Sequence, residues 1–199
     1  MRRILSVLMF TTALTSGAGA AAEILQASVE KKDGIYHVFG VTLVKAPPEF
    51  IFATLMDFDH FHKISGGITE TRFVESTVGG EVLGYTRIEA CVLFFCRRAE
   101  KLERIEANPY REIRTVTIPE KSDFRFSETR WTLSRQNDRT RLTYEGKFIP
   151  DFWMPPLITV WAIKRRLISS AENIGMRIEY LAEHDLTLAQ VREPVASAE

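Results

Sequence analysis

A β-rich stretch followed by one long amphipathic helix constrains this chain more than any other feature. Strand-like segments fill about eighty residues and are separated by short polar or glycine-containing turns. They are residues 69–77, 81–90, 97–107, 111–119, 125–134 and 140–149. Because short turns join neighbouring segments, the pattern predicts one antiparallel meander.

A strand and a short helix precede the meander, and a long helix follows it. The segment "IYHVFGVTLVK" at 35–45 alternates and predicts a strand. Pro47 and Pro48 then suit the first turn of a helix. After Pro155 and Pro156, an apolar stripe predicts a helix of about 27 residues, about 40 Å long. The stripe consists of Val160, Trp161, Ile168, Ala171, Ile174, Ile178 and Leu181.

The first 22 residues differ in character from the rest. Arg2 and Arg3 precede an apolar run from Ile4 to Leu14, and small residues suited to cleavage follow. This order is typical of a secretory signal peptide, and the run is short for a transmembrane span. We therefore expect residues 1–22 to be removed and the protein to be periplasmic or secreted. An uncleaved anchor is the alternative.

The composition is that of a soluble globular domain, with 45% hydrophobic and 26% charged residues. The formal net charge is zero and the basic residues are spread along the chain, which argues against a nucleic-acid partner. The remaining length suits one domain, which we place at 23–185. Residues 186–199 are expected to form a flexible C-terminal tail.

Cys91 and Cys96 are the only two cysteines, and they flank four apolar residues. On an extended strand their Cα atoms would lie about 16 Å apart, whereas a disulfide tolerates at most about 7 Å. Either the thiols are free, or the segment turns back on itself. We favour a hairpin closed by a disulfide, because the chain is expected to be exported and the flanking strands need a connection.

The order of elements resembles the START-like helix-grip fold of the SRPBCC superfamily, in particular its polyketide cyclase/dehydrase and coenzyme Q-binding branches. The terminal helix, "VTLVKAPPEFIFATLMDFDHF" and "VGGEVLGYTR" carry the resemblance, which spans residues 30 to 183. It implies an α+β fold in which a curved antiparallel sheet of about seven strands wraps around the long C-terminal helix. An apolar cavity would lie between the sheet and the helix.

The resemblance also implies that three segments form the mouth of this cavity. They are Cys91–Cys96, Glu120–Phe124 and Phe152–Leu157, and the first and last are strongly apolar. Leaving such side chains in water is unfavourable, so we expect them to cover something. Either they pack on each other and close the mouth, or they form a rim that contacts a lipid ligand or a membrane surface.

Nine residues are candidate ligand contacts: Tyr85, Arg87, Phe94, Phe95, Trp131, Tyr144, Trp153, Leu157 and Trp161. One choice of strand face stays open. If Tyr85, Arg87 and Glu89 face the cavity, Arg87 and Glu89 would orient a ligand head group or act as an acid–base pair. We favour the arrangement in which these charges face solvent. The segment "KLERIE" breaks the alternation, and its faces cannot be assigned.

We find no catalytic motif in the sequence. The one concentrated polar cluster, "DFDHFHK", contains Asp57, Asp59, His60 and His62, whose spacing matches no usual zinc pattern. We interpret the cluster as a solvated helix end and expect neither a metal nor a cofactor.

These features favour an exported binding or carrier protein for a hydrophobic small molecule or lipid of the quinone, sterol, hopanoid or fatty acyl type, and not an enzyme. Transient contact with a membrane surface is also expected. One alternative is a cyclase- or hydrolase-type enzyme that uses Arg87, Glu89 and Tyr144. Another is a protein-interaction module that docks through the apolar mouth.

Overall fold

The computed structural model describes residues 22–75, 80–92 and 95–191, without the side chains of Ala90, Val92, Phe95, Pro156 and Leu157. The predicted signal peptide, except Ala22, lies outside these residues, as do Leu93, Phe94 and the last eight residues of the tail. The strands are β1 (Glu23–Lys32), β2 (Ile35–Val44), β3 (Ile68–Val74), β4 (Leu83–Val92), β5 (Phe95–Asn108), β6 (Glu112–Thr117), β7 (Phe124–Gln136) and β8 (Arg139–Pro150). The α-helices are α1 (Pro48–Met56) and α2 (Pro156–Glu183), and 3₁₀ turns cover Phe58–Lys63, Pro119–Lys121 and Leu188–Gln190.

The strands form one antiparallel sheet in the order β1-β2-β8-β7-β6-β5-β4-β3. The chain runs as a meander from β3 to β8, and β8 then pairs with β2. Helix α2 is 28 residues long and packs against β1 and β2. This arrangement confirms the predicted helix-grip fold, with a sheet of eight strands where about seven were predicted.

The additional strand is β1, which the sequence reasoning did not assign. It pairs with β2 through a two-residue turn at Asp33 and Gly34, whose φ angles are 52° and 82°. Both values are positive, as a type I′ hairpin turn requires. Most side chains of β1 are exposed, because it is an edge strand with charged residues along it. Because β1 carries many polar residues, its sequence lacks the apolar alternation from which the other strands were predicted.

The hydrophobic core lies beneath the C-terminal part of α2, where Ile174, Ile178 and Leu181 pack against α1 and the sheet. Leu188 joins this core and is only 1% exposed. Lys63 donates hydrogen bonds from Nζ to the carbonyl oxygens of Leu188 and Val191, at 3.2 and 3.0 Å. Residues 186–191 are therefore packed, although the sequence predicted a flexible tail from residue 186.

Cys91 and Cys96 form a disulfide, as predicted. They are direct register partners on β4 and β5, with their Cα atoms 3.9 Å apart, and Val92 pairs with Phe95 at the tip of the hairpin. The disulfide therefore ties the two strands together just before the turn.

Within the described ranges, neither helix combines the length and the apolar character needed to cross a membrane.

Candidate ligand-binding cavity

A cavity of about 800 Å³ lies between the concave face of the sheet and the N-terminal part of α2. Most of its lining is apolar, and Phe58, Ile88, Trp131, Leu142 and Phe148 are examples from one 3₁₀ turn and three strands. This volume falls within the range of small-molecule sites in proteins.

Small residues of α2 help to leave room for the cavity. The part of the helix that faces the cavity carries small side chains, including Ala162, Ser169 and Ala171. Farther along, Ile174 and Ile178 are buried in the core between helix and sheet. Small side chains on α2 leave space against the sheet, although Ile158, Trp161 and Leu167 also line the cavity.

A buried carboxylate, Glu103, lies in the cavity wall on β5. Its Oε1 accepts hydrogen bonds from Lys101 Nζ and Thr115 Oγ1, both at 2.8 Å, and its Oε2 lies 3.4 Å from Thr86 Oγ1. The side chains of Lys101 and Glu103 are 12% and 3% exposed. All four residues line the cavity. An ion pair is thus held within a mostly apolar wall, whose other charged residues are Glu89, Arg97, Arg165 and Arg166.

The polar groups continue across the sheet to Tyr144 on β8. The hydroxyl oxygens of Thr115 and Thr129 are 2.7 Å apart. Thr129 pairs in register with Gly146, and a Cβ atom at Gly146 would lie 2.9 Å from the hydroxyl oxygen of Tyr144. The phenol oxygen therefore lies over Gly146, the register partner of Thr129. We call Thr86, Lys101, Glu103, Thr115, Thr129 and Tyr144 the polar band.

Tyr144 contributes a hydrogen-bond donor to this band. Burial, and secondly the negative charge of Glu103, raises the pKa of Tyr144 above its ordinary value of 10.0. Its ring packs against that of Trp131, with centroids 4.7 Å apart. The phenol is therefore protonated at neutral pH and held in a fixed orientation.

Sequence reasoning missed Lys101 and Glu103. Ala99, Lys101, Glu103 and Ile105 all line the cavity, as expected for alternate residues of one strand. Leu102 obscured this pattern, because it is buried on the opposite face of β5. The spacing of Ala99 and Ile105, an even number of residues apart, was the available signal.

Tyr85 and Arg87 lie on the outer face of the sheet and do not line the cavity. Arg87 pairs with Glu70 on β3 and, through Nε at 3.0 Å, with Oε1 of Glu100 on β5. Hydrogen bonds, first from Tyr85 and then from Arg87, lower the pKa of Glu100. The cavity-facing residues of β4 include Thr86 and Ile88. The alternating faces of β4 thus place Tyr85 and Arg87 outside, as we favoured, whereas Glu89, expected on the same face, borders the cavity near the end of the strand.

The three segments expected at the mouth meet at one end of the sheet. The rings of Phe124 and Phe152 are 5.9 Å apart, and the guanidinium of Arg97 lies 4.7 Å from the centre of the Phe152 ring. Cys91 also lines the cavity at this end. Trp161, on α2, lines the cavity but is 57% exposed, and the guanidinium of Arg165 lies 5.6 Å from its ring.

The remaining candidates occupy different places. Trp131, Tyr144 and Trp161 line the main cavity. Trp153 is 68% exposed and borders a smaller adjacent hollow of about 300 Å³. Phe94 lies outside the described residues, and so do the side chains of Phe95 and Leu157.

The aspartate–histidine cluster stabilises the local structure. Asp57 Oδ1 lies 2.7 Å from His60 Nδ1, and Asp59 Oδ1 accepts a hydrogen bond from the backbone of Phe73 at 2.8 Å. His62 donates from its backbone nitrogen to Thr71 Oγ1 at 3.0 Å. Across the described part of the chain, no three His, Cys, Asp or Glu residues are grouped as a metal site requires.

Comparisons with known proteins identify the fold. No family model matches the sequence, and no curated protein matches it in sequence. The structure is similar to a STAR-related lipid transfer protein from Xanthomonas axonopodis, with a TM-score of 0.61, 14% identity, and coverage of 80% of this chain and 99% of that chain. It is also similar to the Zhui aromatase/cyclase from Streptomyces sp. R1128, with a TM-score of 0.57, 15% identity and coverage of 79% and 99%. A START superfamily protein from Mycobacterium smegmatis gives a TM-score of 0.54, 17% identity and coverage of 74% and 97%.

One expectation drawn from the sequence is wrong. The chain was expected not to be an enzyme, yet one of these similar structures is an aromatase/cyclase, so the architecture accommodates catalysis as well as lipid transfer. The resemblance in the order of elements is confirmed at the level of architecture. The chain therefore has the START-like helix-grip fold.

Proposed function

We propose that this protein binds a hydrophobic small molecule or lipid between the sheet and α2, and that it carries this molecule outside the cytosol. The observation that carries the proposal is the cavity, which has a volume of about 800 Å³ and a mostly apolar lining. Burial of apolar surface would supply most of the binding free energy. Quinones, sterols, hopanoids and fatty acyl lipids belong to the class of ligand proposed.

Two features support a location in an oxidising compartment. The Cys91–Cys96 disulfide is of a kind that persists outside the cytosol and is rare within it. The first 22 residues have the order of a secretory signal peptide. We propose that the mature protein is periplasmic or secreted.

The mouth of the cavity supports transient contact with a membrane. Trp153 and Trp161 expose most of their surface there, and tryptophan suits the boundary between water and lipid. Arg97 and Arg165 lie beside aromatic rings at the same end and would attract anionic lipid head groups. A carrier needs such contact to exchange a ligand that is insoluble in water.

Native mass spectrometry of protein purified from its own host, with solvent extraction of anything bound, tests the proposal. We expect a co-purifying mass of lipid size and a protein mass about two daltons below that of the reduced chain. Nile red, a neutral apolar dye, then reports whether the extracted protein takes up an apolar molecule. Protein that is empty as purified and does not bind Nile red would contradict the proposal.

A second candidate function is turnover of the bound molecule. Glu103, Lys101 and Tyr144 place acid–base groups on the wall of a water-poor cavity, which is the setting of general acid–base catalysis. The extracted ligand, incubated with fresh protein, distinguishes the two functions. A new product mass that disappears in Glu103→Gln would favour an enzyme, and an unchanged ligand would favour a carrier.

A further inference from the structure

The polar band offers more hydrogen-bond donors to the cavity than it uses. A lysine ammonium has three N–H donors, and within the described residues Lys101 gives one of them to Glu103. Thr115 donates to Glu103, so Thr129 must be the donor in its contact with Thr115. Tyr144 is protonated and makes no hydrogen bond through its hydroxyl with any described residue. Donors of Lys101 and Tyr144 are thus free to meet a ligand.

The acceptor in the band is less accessible than these donors. The side chain of Glu103 is 3% exposed, and Lys101, Thr115 and Thr86 surround its oxygens. Lys101 is more open to the cavity, at 12%. A ligand group that meets the band therefore encounters donors, and the complementary group on the ligand is an acceptor oxygen.

The charges of the band limit what that group can be. Lys101 and Glu103 are paired at 2.8 Å, so their charges balance. A ligand that brought a further charge to the band would find no counter-charge in it, because Lys101 and Glu103 already compensate each other, and burying an uncompensated charge is costly. The acceptor oxygen should therefore be neutral.

The band also lies far from the mouth. From Cys96 at the hairpin to Glu103, strand β5 extends about 23 Å at 3.3 Å per residue. Beyond the band, Ile105, Ile113 and Leu142 belong to the buried core and also line the cavity. The band therefore meets a ligand inside the cavity, with apolar wall on both sides of it.

We infer that the cavity selects amphiphiles with a neutral carbonyl oxygen, which lies against the polar band and accepts hydrogen bonds from Lys101 and Tyr144. This inference rests on the proposed function and specifies its ligand class. An apolar skeleton fills the rest of the cavity, and the carbonyl fixes its orientation.

Four probes with the same linear alkyl skeleton test the inference: 2-dodecanone, dodecane, dodecanoic acid and dodecylamine. Each is titrated against protein loaded with Nile red, and the loss of dye fluorescence gives its affinity. We expect the ketone to bind more tightly than the acid and the amine. Tyr144→Phe removes only a hydroxyl, so it should weaken the ketone about threefold to tenfold and leave dodecane unchanged.

A second variant, Lys101→Met/Glu103→Leu, replaces the ion pair with apolar side chains and leaves no buried charge unpaired. It should also weaken the ketone about threefold to tenfold relative to dodecane. Tighter binding of the acid or the amine than of the ketone would overturn the inference. An unchanged ratio of ketone to dodecane affinity in either variant would overturn the role of the residue it removes. Failure of the wild-type protein to bind Nile red would instead overturn the proposed function.

Discussion

Lys101 Nζ lies 2.8 Å from Oε1 of Glu103, and the two residues occupy the same face of β5 two positions apart. Their side chains are almost completely removed from water, so each charge depends on the other for compensation. The same pair is therefore part of the cavity wall and part of the structural framework.

Removing one member of this pair should destabilise the protein strongly. Lys101→Met leaves the Glu103 carboxylate buried without its counter-charge, and we expect the free energy of unfolding to fall by about 3–5 kcal/mol. The control is Lys101→Met/Glu103→Leu, which should recover most of the loss. Urea denaturation measures both. A loss below about 1 kcal/mol in the single variant would show that the pair is not desolvated as described.

The disulfide should contribute modestly to stability. Replacing Cys91 and Cys96 with serine opens a very short loop, so the free energy of unfolding should fall by about 2 kcal/mol. Urea denaturation of the oxidised and serine proteins checks this value. Alkylation of the native protein should label neither cysteine until a reductant is added. Labelling without reductant would disprove the closed hairpin.

The exposed tryptophans at the mouth should govern membrane binding. Trp153→Asp and Trp161→Asp should each lower binding to phosphatidylglycerol vesicles at least about tenfold while leaving the fold intact. Tyr180→Asp is the matched control, because Tyr180 is 53% exposed on the same helix as Trp161 but lies about 28 Å farther along it. Vesicle sedimentation gives the affinities. Equal losses in all three variants would rule out a specific rim.

Tyr144 should make stability dependent on pH in the alkaline range. Its pKa is raised in the folded protein, so its contribution is complete below about pH 10 and is lost as the pH rises through the folded value. The wild-type protein should therefore lose stability more steeply than Tyr144→Phe. Urea denaturation from about pH 8 to about pH 11 measures the difference. Parallel curves would contradict the burial of the phenol.

Gly146 should affect ketone binding, because its missing side chain leaves room for the Tyr144 phenol. A Cβ atom there would lie 2.9 Å from the hydroxyl oxygen of Tyr144, so Gly146→Ala must displace the phenol. We expect this variant to weaken 2-dodecanone about as much as Tyr144→Phe does, with little change for dodecane. The same dye displacement measures it, and an unaltered ketone affinity would show that the position of the phenol does not matter.

The sequence predicted the parts of this fold that depend on regular patterns. The meander from β3 to β8 and the position of α2 followed from alternation, turn residues and the apolar stripe. The hairpin at Cys91 and Cys96 was predicted because a disulfide needs Cα atoms closer together than an extended strand allows. Strand β1 was missed, although Asp33-Gly34 is a strong hairpin signal, because its side chains are mostly exposed.

The polar band could not be predicted by the same reasoning. Lys101 and Glu103 are charged, and charged residues on a strand normally face solvent. Only their partners on neighbouring strands, Thr115 and Thr86, show that they face inward. Leu188 shows the opposite difficulty, because it is an apolar residue that the sequence reasoning left in a flexible tail. Nothing in its neighbouring residues shows that it joins the core.

The space left beside the small residues of α2 affects how well the protein resists unfolding and proteolysis. Side chains that would complete the packing are absent where Ala162, Ser169 and Ala171 face the cavity, so the folded chain forgoes contacts that a filled core would supply. A ligand restores them. The loaded protein should accordingly be harder to unfold and to digest than the unloaded one, by an amount that grows with ligand concentration. Under the proposed function, proteolysis would therefore remove the unloaded protein before the loaded protein.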